Sequence, residues 1–224
     1  MRTALPWGRI VVRHTMTKIT APKDPGEYFR RTEHAVRHAY AGLDSCWMYY
    51  QQALQHWDIS QIGQAMTPER KARLDRYLEL AGKYFDLKIS EAMFAGAILQ
   101  VAYMAIRLYS RNASIPANCS ALVRPSQKPA IPFCLGRELH GIPTGLIVYA
   151  GRNQYAHWDD EEPHEVTKNV FRALSAAFYH SMLVDLAFEL SNPTINVYAN
   201  EILLVALGWK SYDTYLVEMT SLLT

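Results

Sequence analysis

Apolar positions recur at intervals of three, four and seven residues along most of the chain, which is the spacing of one face of an α-helix. The first such stretch covers about 24–57, where Asp24 can cap a helix that begins at Pro25. A second stretch at 67–85 opens with Thr-Pro-Glu and is predicted to begin in the same way. A third at about 90–110 is apolar on almost every side, so we expect it to lie at the centre of the fold.

The second half of the chain shows the same periodicity after an interruption. Four prolines fall within 111–132, which predicts a loop long enough to serve as a lid or a contact segment. Five further helices are predicted, at 133–139, 142–158, 163–190, 197–207 and 212–223. No alternation typical of β-strands appears, and no internal repeat. The pattern therefore predicts an all-α fold, a multi-helix bundle of about six to eight helices.

Composition and charge narrow the class of protein. Half of the 224 residues are apolar and a fifth are charged, an ordinary globular balance, and a net charge of +2 gives no strong field to attract nucleic acid non-specifically. No apolar run reaches the roughly 18–20 residues that span a bilayer. The cysteines, three in number and widely spaced, suit neither a disulfide framework nor a cysteine zinc site, so we expect a cytoplasmic protein.

The amino end differs from the rest of the chain because its charges are all basic. Residues 1–22 carry four basic residues and no acidic one. We predict a flexible basic arm there, followed by a single α-helical domain at 23–224. A start at Met16, or a transit peptide, is the alternative explanation of this composition.

The most definite functional lead is Arg152-Asn153-Gln154-Tyr155-Ala156-His157, which follows an apolar stretch. A guanidinium can grip phosphate oxygens through two hydrogen bonds, and an imidazole can move a proton near neutral pH. The spacing alone is weak, because Arg9/His14 and Arg31/His38 are similarly spaced. On a straight helix, position 153 lies ~40° and position 152 lies ~140° from position 157. Convergence of all three therefore needs a kink or a second copy of the motif.

The segment 151–158 resembles the signature of the HEPN superfamily (higher eukaryotes and prokaryotes nucleotide-binding domains). Ribonuclease members of that family carry Arg, a polar residue that is often Asn, three more residues and then His. The resemblance implies a metal-independent endoribonuclease without a cofactor, in which Arg152 and His157 act on the scissile phosphate and the ribose 2′-hydroxyl. Asn153 would orient them, and Tyr155 and Gln154 are the predicted substrate-binding residues.

The resemblance also implies partners. The family site needs two copies of the motif, and this chain has one convincing copy. We therefore expect a homodimer with RNA bound at its interface. We also expect a toxin or antiviral-defence role, a possible antitoxin-like protein that restrains the activity, and no contact with a membrane.

An acidic run, 159–162, argues against RNA because carboxylates repel phosphates. One structural interpretation is that Arg152 and His157 cap the helix and form salt bridges with these acids. The acids also precede a helix start, where they favour the helix dipole. Metal clusters are weak candidates. Glu161 and His164, in a cluster with His157 and Asp159, have the spacing of a di-iron motif but lack a second such pair, and His34/His38 lack the zincin glutamate. The open alternatives are a non-catalytic helical module that binds RNA, nucleotide or a protein partner, and a structural helical interaction protein.

Overall fold

The computed structural model describes residues 20–57, 65–160, 162–177, 186–191 and 198–224. Six α-helices occur in these ranges: α1 Pro25–Leu54, α2 Pro68–Asp86, α3 Lys88–Tyr109, α4 Thr144–Ala156, α5 Glu165–Ala177 and α6 Tyr212–Leu223. Shorter elements are the 3₁₀ helices Ala117–Cys119, Lys128–Phe133 and Leu186–Phe188, a π-helix Glu201–Ala206, and the two-residue strands β1 Glu138–Leu139 and β2 Ile142–Pro143. The all-α fold class is confirmed. The predicted arm lies almost entirely outside the described residues.

The side chains at the predicted helix starts form N-cap hydrogen bonds. Asp24 Oδ1 accepts from the backbone N–H of Glu27 at 2.8 Å, and the Thr67 hydroxyl accepts from Arg70 N at 3.3 Å. Each bond satisfies a backbone donor that the first helical turn leaves unpaired. Ser211 caps α6 in a capping box with Thr214, and α6 has the predicted bounds.

Helix α3 is the central element, as its composition predicts. It packs mainly against α1 and α4 and buries Ala95, Ile98 and Leu99 completely. At Gly96 the ring of Tyr155 on α4 occupies the place where a Cβ would lie, so only glycine allows this close approach. By length and composition α3 could also cross a membrane, but 56% of its apolar window is buried inside the fold, as in the core helix of a soluble protein.

The predicted helix at 133–139 is wrong, and the reason lies in the backbone. Residues 128–133 form a 3₁₀ helix, and β1 then pairs antiparallel with β2, Leu139 facing Ile142. His140 and Gly141 turn this hairpin with φ values of 53° and 78°, a conformation that a helix cannot contain. For the same reason α4 begins at Thr144 and not at Ile142.

The remaining predicted helices are corrected in their bounds. Helix α5 begins at Glu165, two residues after the predicted start, and is described to Ala177. Residues 178–185 of the predicted helix lie outside the described residues, and 186–188 form a 3₁₀ turn. The predicted helix at 197–207 is a π-helix at Glu201–Ala206, with Val197 outside the described residues.

Candidate functional site

The motif occupies the last turn of α4, a helix that is buried on most of its surface. Its first turn can approach the 128–133 segment because residue 145 is glycine, whose missing Cβ would meet the backbone carbonyl of Phe133. At Gly151 a Cβ would meet the side chain of Ile202. Glycine lowers helix propensity, but Gly145 and Gly151 let α4 lie deep in the core, with Arg152 at the edge of that core.

Arg152 is held by three neighbours. Its Nε donates to Oε1 of Gln100 at 2.7 Å, and its Nη1 donates to Oδ1 of Asn153 at 3.1 Å. Its guanidinium lies over the ring of Tyr103, with Cζ 4.8 Å from the ring centroid, a cation–π arrangement. Since α3 carries both Gln100 and Tyr103, the orientation of Arg152 is fixed by the packing of α3 on α4.

Asn153 is 7% exposed, and its Oδ1 accepts from Nη1 of Arg152 at 3.1 Å. Burial raises the pKa of Tyr149, one turn earlier on α4, and the nearby side chain of Asn153 opposes part of that rise.

The two predicted substrate-binding residues are turned inward. Gln154 is 6% exposed, and its Oε1 accepts a hydrogen bond of 3.1 Å from the backbone N–H of Tyr198. Tyr155 is partly buried with its ring against Gly96. Both therefore serve the packing of α4, and we do not carry them into the proposed site.

His157 ends α4 as its C-cap, with φ −132° and ψ 37°. Its side chain is 42% exposed, and Nδ1 lies 3.2 Å from Oδ2 of Asp160. His164 lies next to it, with ring centroids 5.7 Å apart. Because Asp160 engages Nδ1, Nε2 is the nitrogen left to act on a ligand.

The structure brings Arg152 and Asn153 together, but not His157. Arg152 faces α3, whereas His157 turns to the segment that follows α4, and the two side chains share neither a hydrogen bond nor a ring contact. This agrees with the angular separation of the two positions on a helix. Within one chain Arg152 and His157 therefore have separate sets of contacts.

The structural interpretation is met by His157 and not by Arg152 in the described ranges. His157 caps α4 and pairs with Asp160, although its side chain is exposed, whereas Arg152 makes no ion pair with Asp159, Asp160 or Glu162. The acids are instead partly compensated elsewhere, because Asp160 pairs with His157 and Glu162 Oε2 lies 3.0 Å from Lys168 Nζ. Glu161 lies outside the described residues.

Three surface cavities of the described part of the chain, of 510, 580 and 650 Å³, are lined by residues other than Arg152 and His157. No three His, Cys, Asp or Glu side chains of the described ranges are grouped so as to hold a metal ion. The Nε2 atoms of His34 and His38 lie 3.0 Å apart on the exposed face of α1.

Sequence reasoning missed Gln100 and Tyr103, which lie about 50 residues before the motif. A signal was present, because Gln100 and Tyr103 carry the only polar groups between Ala92 and Ile106 in an otherwise apolar stretch. A polar side chain on a buried helix needs a partner. The pattern could not say which partner, since that depends on how α3 packs against α4. Comparison with protein-family models, with curated proteins and with solved structures finds no match to this chain.

Proposed function

We propose that this chain is a metal-independent, HEPN-like endoribonuclease of the toxin or defence type, which acts as a homodimer on RNA. The observation that carries the proposal is the state of Arg152. Its guanidinium is fixed by an amide, a second amide and an aromatic ring, and no carboxylate of the described residues neutralises it. A fixed, uncompensated cation suits the binding of a phosphate.

The proposed chemistry needs only side chains. The ribose 2′-hydroxyl loses its proton to a general base and attacks the adjacent phosphorus, and the bond from phosphorus to the 5′-oxygen breaks. A general acid gives a proton to the leaving 5′-oxygen, so the products carry a 2′,3′-cyclic phosphate and a 5′-hydroxyl. His157 is the proton-transfer group and Arg152 stabilises the charge that develops on the phosphoryl oxygens.

A second copy of the chain would complete the site. Arg152 contacts Gln100 and Asn153, whereas His157 contacts Asp160, so we propose that the two groups that meet one phosphate come from two copies of the chain. In a symmetric dimer the two motifs face each other, and the two copies of His157 supply the base and the acid.

The test is cleavage of end-labelled single-stranded RNA by the purified chain in EDTA, beside R152A and H157A. R172A is the matched control, since Arg172 is an exposed arginine of α5 outside the motif. Cleavage that is lost in R152A and H157A but kept in R172A supports the proposal. If a folded dimer leaves several RNA sequences intact but binds them through Arg152, the non-catalytic binding module becomes the better assignment.

A further inference from the structure

The three contacts of Arg152 leave one particular edge of its guanidinium for a ligand. The group has one N–H on Nε and two on each terminal nitrogen. Gln100 takes the Nε proton and Asn153 takes one from Nη1. The Nη2 atom makes no hydrogen bond to the described residues. On the Nη1–Nη2 edge, Nη2 therefore keeps both of its N–H groups and Nη1 keeps one, and a phosphate can accept from these donors.

The chemical nature of the partner at Nε distinguishes this arginine from Arg137. Arg137 is also held by a distant element, but its Nε and Nη2 donate to the carboxylate of Glu218 at 2.7 and 3.0 Å. That contact fixes the side chain and neutralises it at once. Gln100 supplies the same geometry to Arg152 through a neutral amide oxygen at 2.7 Å, so the positive charge is oriented and not compensated.

We infer that Gln100 is a positioning residue that fixes Arg152 with its Nη1–Nη2 edge toward an RNA phosphate. Tyr103 supports the same orientation from the face of the guanidinium. An arginine side chain loses rotamer entropy when it is ordered, and the contacts with Gln100, Asn153 and Tyr103 supply this ordering before RNA binds. The inference rests on the proposed function, since it assigns Gln100 to the same site.

The first experiment measures binding, so that it does not depend on cleavage. An uncleavable 2′-O-methyl oligonucleotide is titrated into wild type, Q100E, R152A and the double variant R152A/Q100E. Q100E keeps the shape of the side chain but places a carboxylate on Nε of Arg152. We expect Q100E and R152A each to weaken binding roughly tenfold, and Q100E to have no further effect when Arg152 is absent, because the two residues act as a unit.

The matched control is Q51E, which makes the same chemical change at an exposed glutamine of α1. We expect Q51E to bind like wild type. The inference is overturned if Q100E binds as tightly as wild type. It is also overturned if Q100E weakens binding equally with and without Arg152, since the carboxylate would then act through general repulsion.

A second experiment separates positioning from structure through the kinetics of RNA cleavage. Q100L removes the hydrogen bond at Nε, and we expect kcat to fall roughly 10–100-fold, with a smaller change in KM and a melting temperature near that of wild type. An unchanged kcat in Q100L would overturn the inference. If wild type cleaves no RNA, the proposed catalytic function fails, whereas the binding comparison of Q100E with R152A still decides the role of Gln100.

Discussion

The indole Nε1 of Trp209 donates a hydrogen bond of 2.7 Å to Oε2 of Glu218, which lies on α6. The same carboxylate accepts from Nε and Nη2 of Arg137 and, at 2.9 Å, from the hydroxyl of Thr144. Glu218 is only 14% exposed. One carboxylate therefore joins the carboxy-terminal helix to the start of α4, the helix that carries Arg152.

We predict that E218A destabilises the protein by about 3 kcal/mol, because it leaves an indole N–H and a hydroxyl without their acceptor and the half-exposed Arg137 without its counter-charge. Chemical denaturation followed by circular dichroism measures the change in the free energy of unfolding. The control is E79A, because Glu79 also pairs with two cations, Arg76 and Lys83, but lies exposed on α2. Equal losses in the two variants would contradict the assignment of Glu218 as a buried junction.

A second prediction concerns Glu91, which is completely buried near the start of α3. Its Oε2 lies 2.6 Å from Nζ of Lys88, and the Tyr84 hydroxyl donates to it. Removing Lys88 leaves a buried carboxylate without its counter-charge. We expect K88M to cost about 3–5 kcal/mol.

The double variant K88M/E91L tests the cause of that loss. It removes both charges and fills the same space with apolar side chains, so we expect it to be more stable than K88M alone. The measurement is the urea midpoint of each variant. A double variant less stable than K88M would mean that Glu91 stabilises the fold through contacts other than its pairing with Lys88.

The stability of the protein is predicted to fall at alkaline pH through buried tyrosines. Burial raises the pKa of Tyr28 and of Tyr198 from the ordinary value of 10.0 to about 12, and it also raises the pKa of Tyr40. Each folded-state pKa lies above the unfolded one, so the stabilising contribution is complete below pH 10 and is lost as pH rises toward 12. Tyrosinate absorbance and ellipticity should therefore change together in that window.

Y28F separates this effect from ordinary packing. The Tyr28 hydroxyl donates to the Val101 carbonyl at 3.1 Å, so at neutral pH the variant should lose roughly 1 kcal/mol. Above pH 11 the Tyr28 hydroxyl of the wild type ionises on unfolding, whereas the variant has no hydroxyl at this position. The difference in the free energy of unfolding between the two proteins should therefore shrink or reverse. A difference that stays constant from pH 8 to pH 12 would contradict the linkage.

How much of this arrangement the sequence predicts depends on the range of the interactions. Helix starts at Asp24, Thr67 and Tyr212 could be predicted because capping is local and needs only a few neighbouring residues. The hairpin at 138–143 could not be predicted, since a non-glycine residue such as His140 seldom adopts a positive φ. A single glycine, Gly141, is too short a turn signal to indicate a hairpin. Helix α5 begins at Glu165, two residues after the start that the sequence predicts.

The candidate site shows the same difference between local and long-range interactions. Arg152, Asn153 and His157 could be selected from residue type and spacing. Their partners could not be, because Gln100 and Tyr103 meet Arg152 only when α3 packs on α4. The inward orientation of Gln154 also depends on tertiary packing, through its contact with Tyr198. Periodicity shows which side of a helix is apolar, but not which polar group of another helix it meets.

The last prediction concerns Asp160, whose carboxylate lies 3.2 Å from Nδ1 of His157. On the proposed reaction this contact holds the imidazole so that Nε2 faces the phosphodiester. We expect D160N to lower kcat roughly tenfold or more, because proton transfer by a positioned side chain contributes about 10²–10⁴-fold. The loss of a negative charge near the phosphate should at the same time leave KM unchanged or lower it.

D159N is the matched control, since Asp159 is exposed one residue earlier and, within the described part of the chain, makes no ion pair with His157. It removes the same charge from the same acidic run. We expect D159N to lower KM for RNA with kcat unchanged. The measurement that distinguishes D160N from D159N is therefore kcat. Equal effects on kcat would mean that the acidic run acts only through its field. A wild-type kcat in D160N would exclude a role for Asp160 in orienting His157.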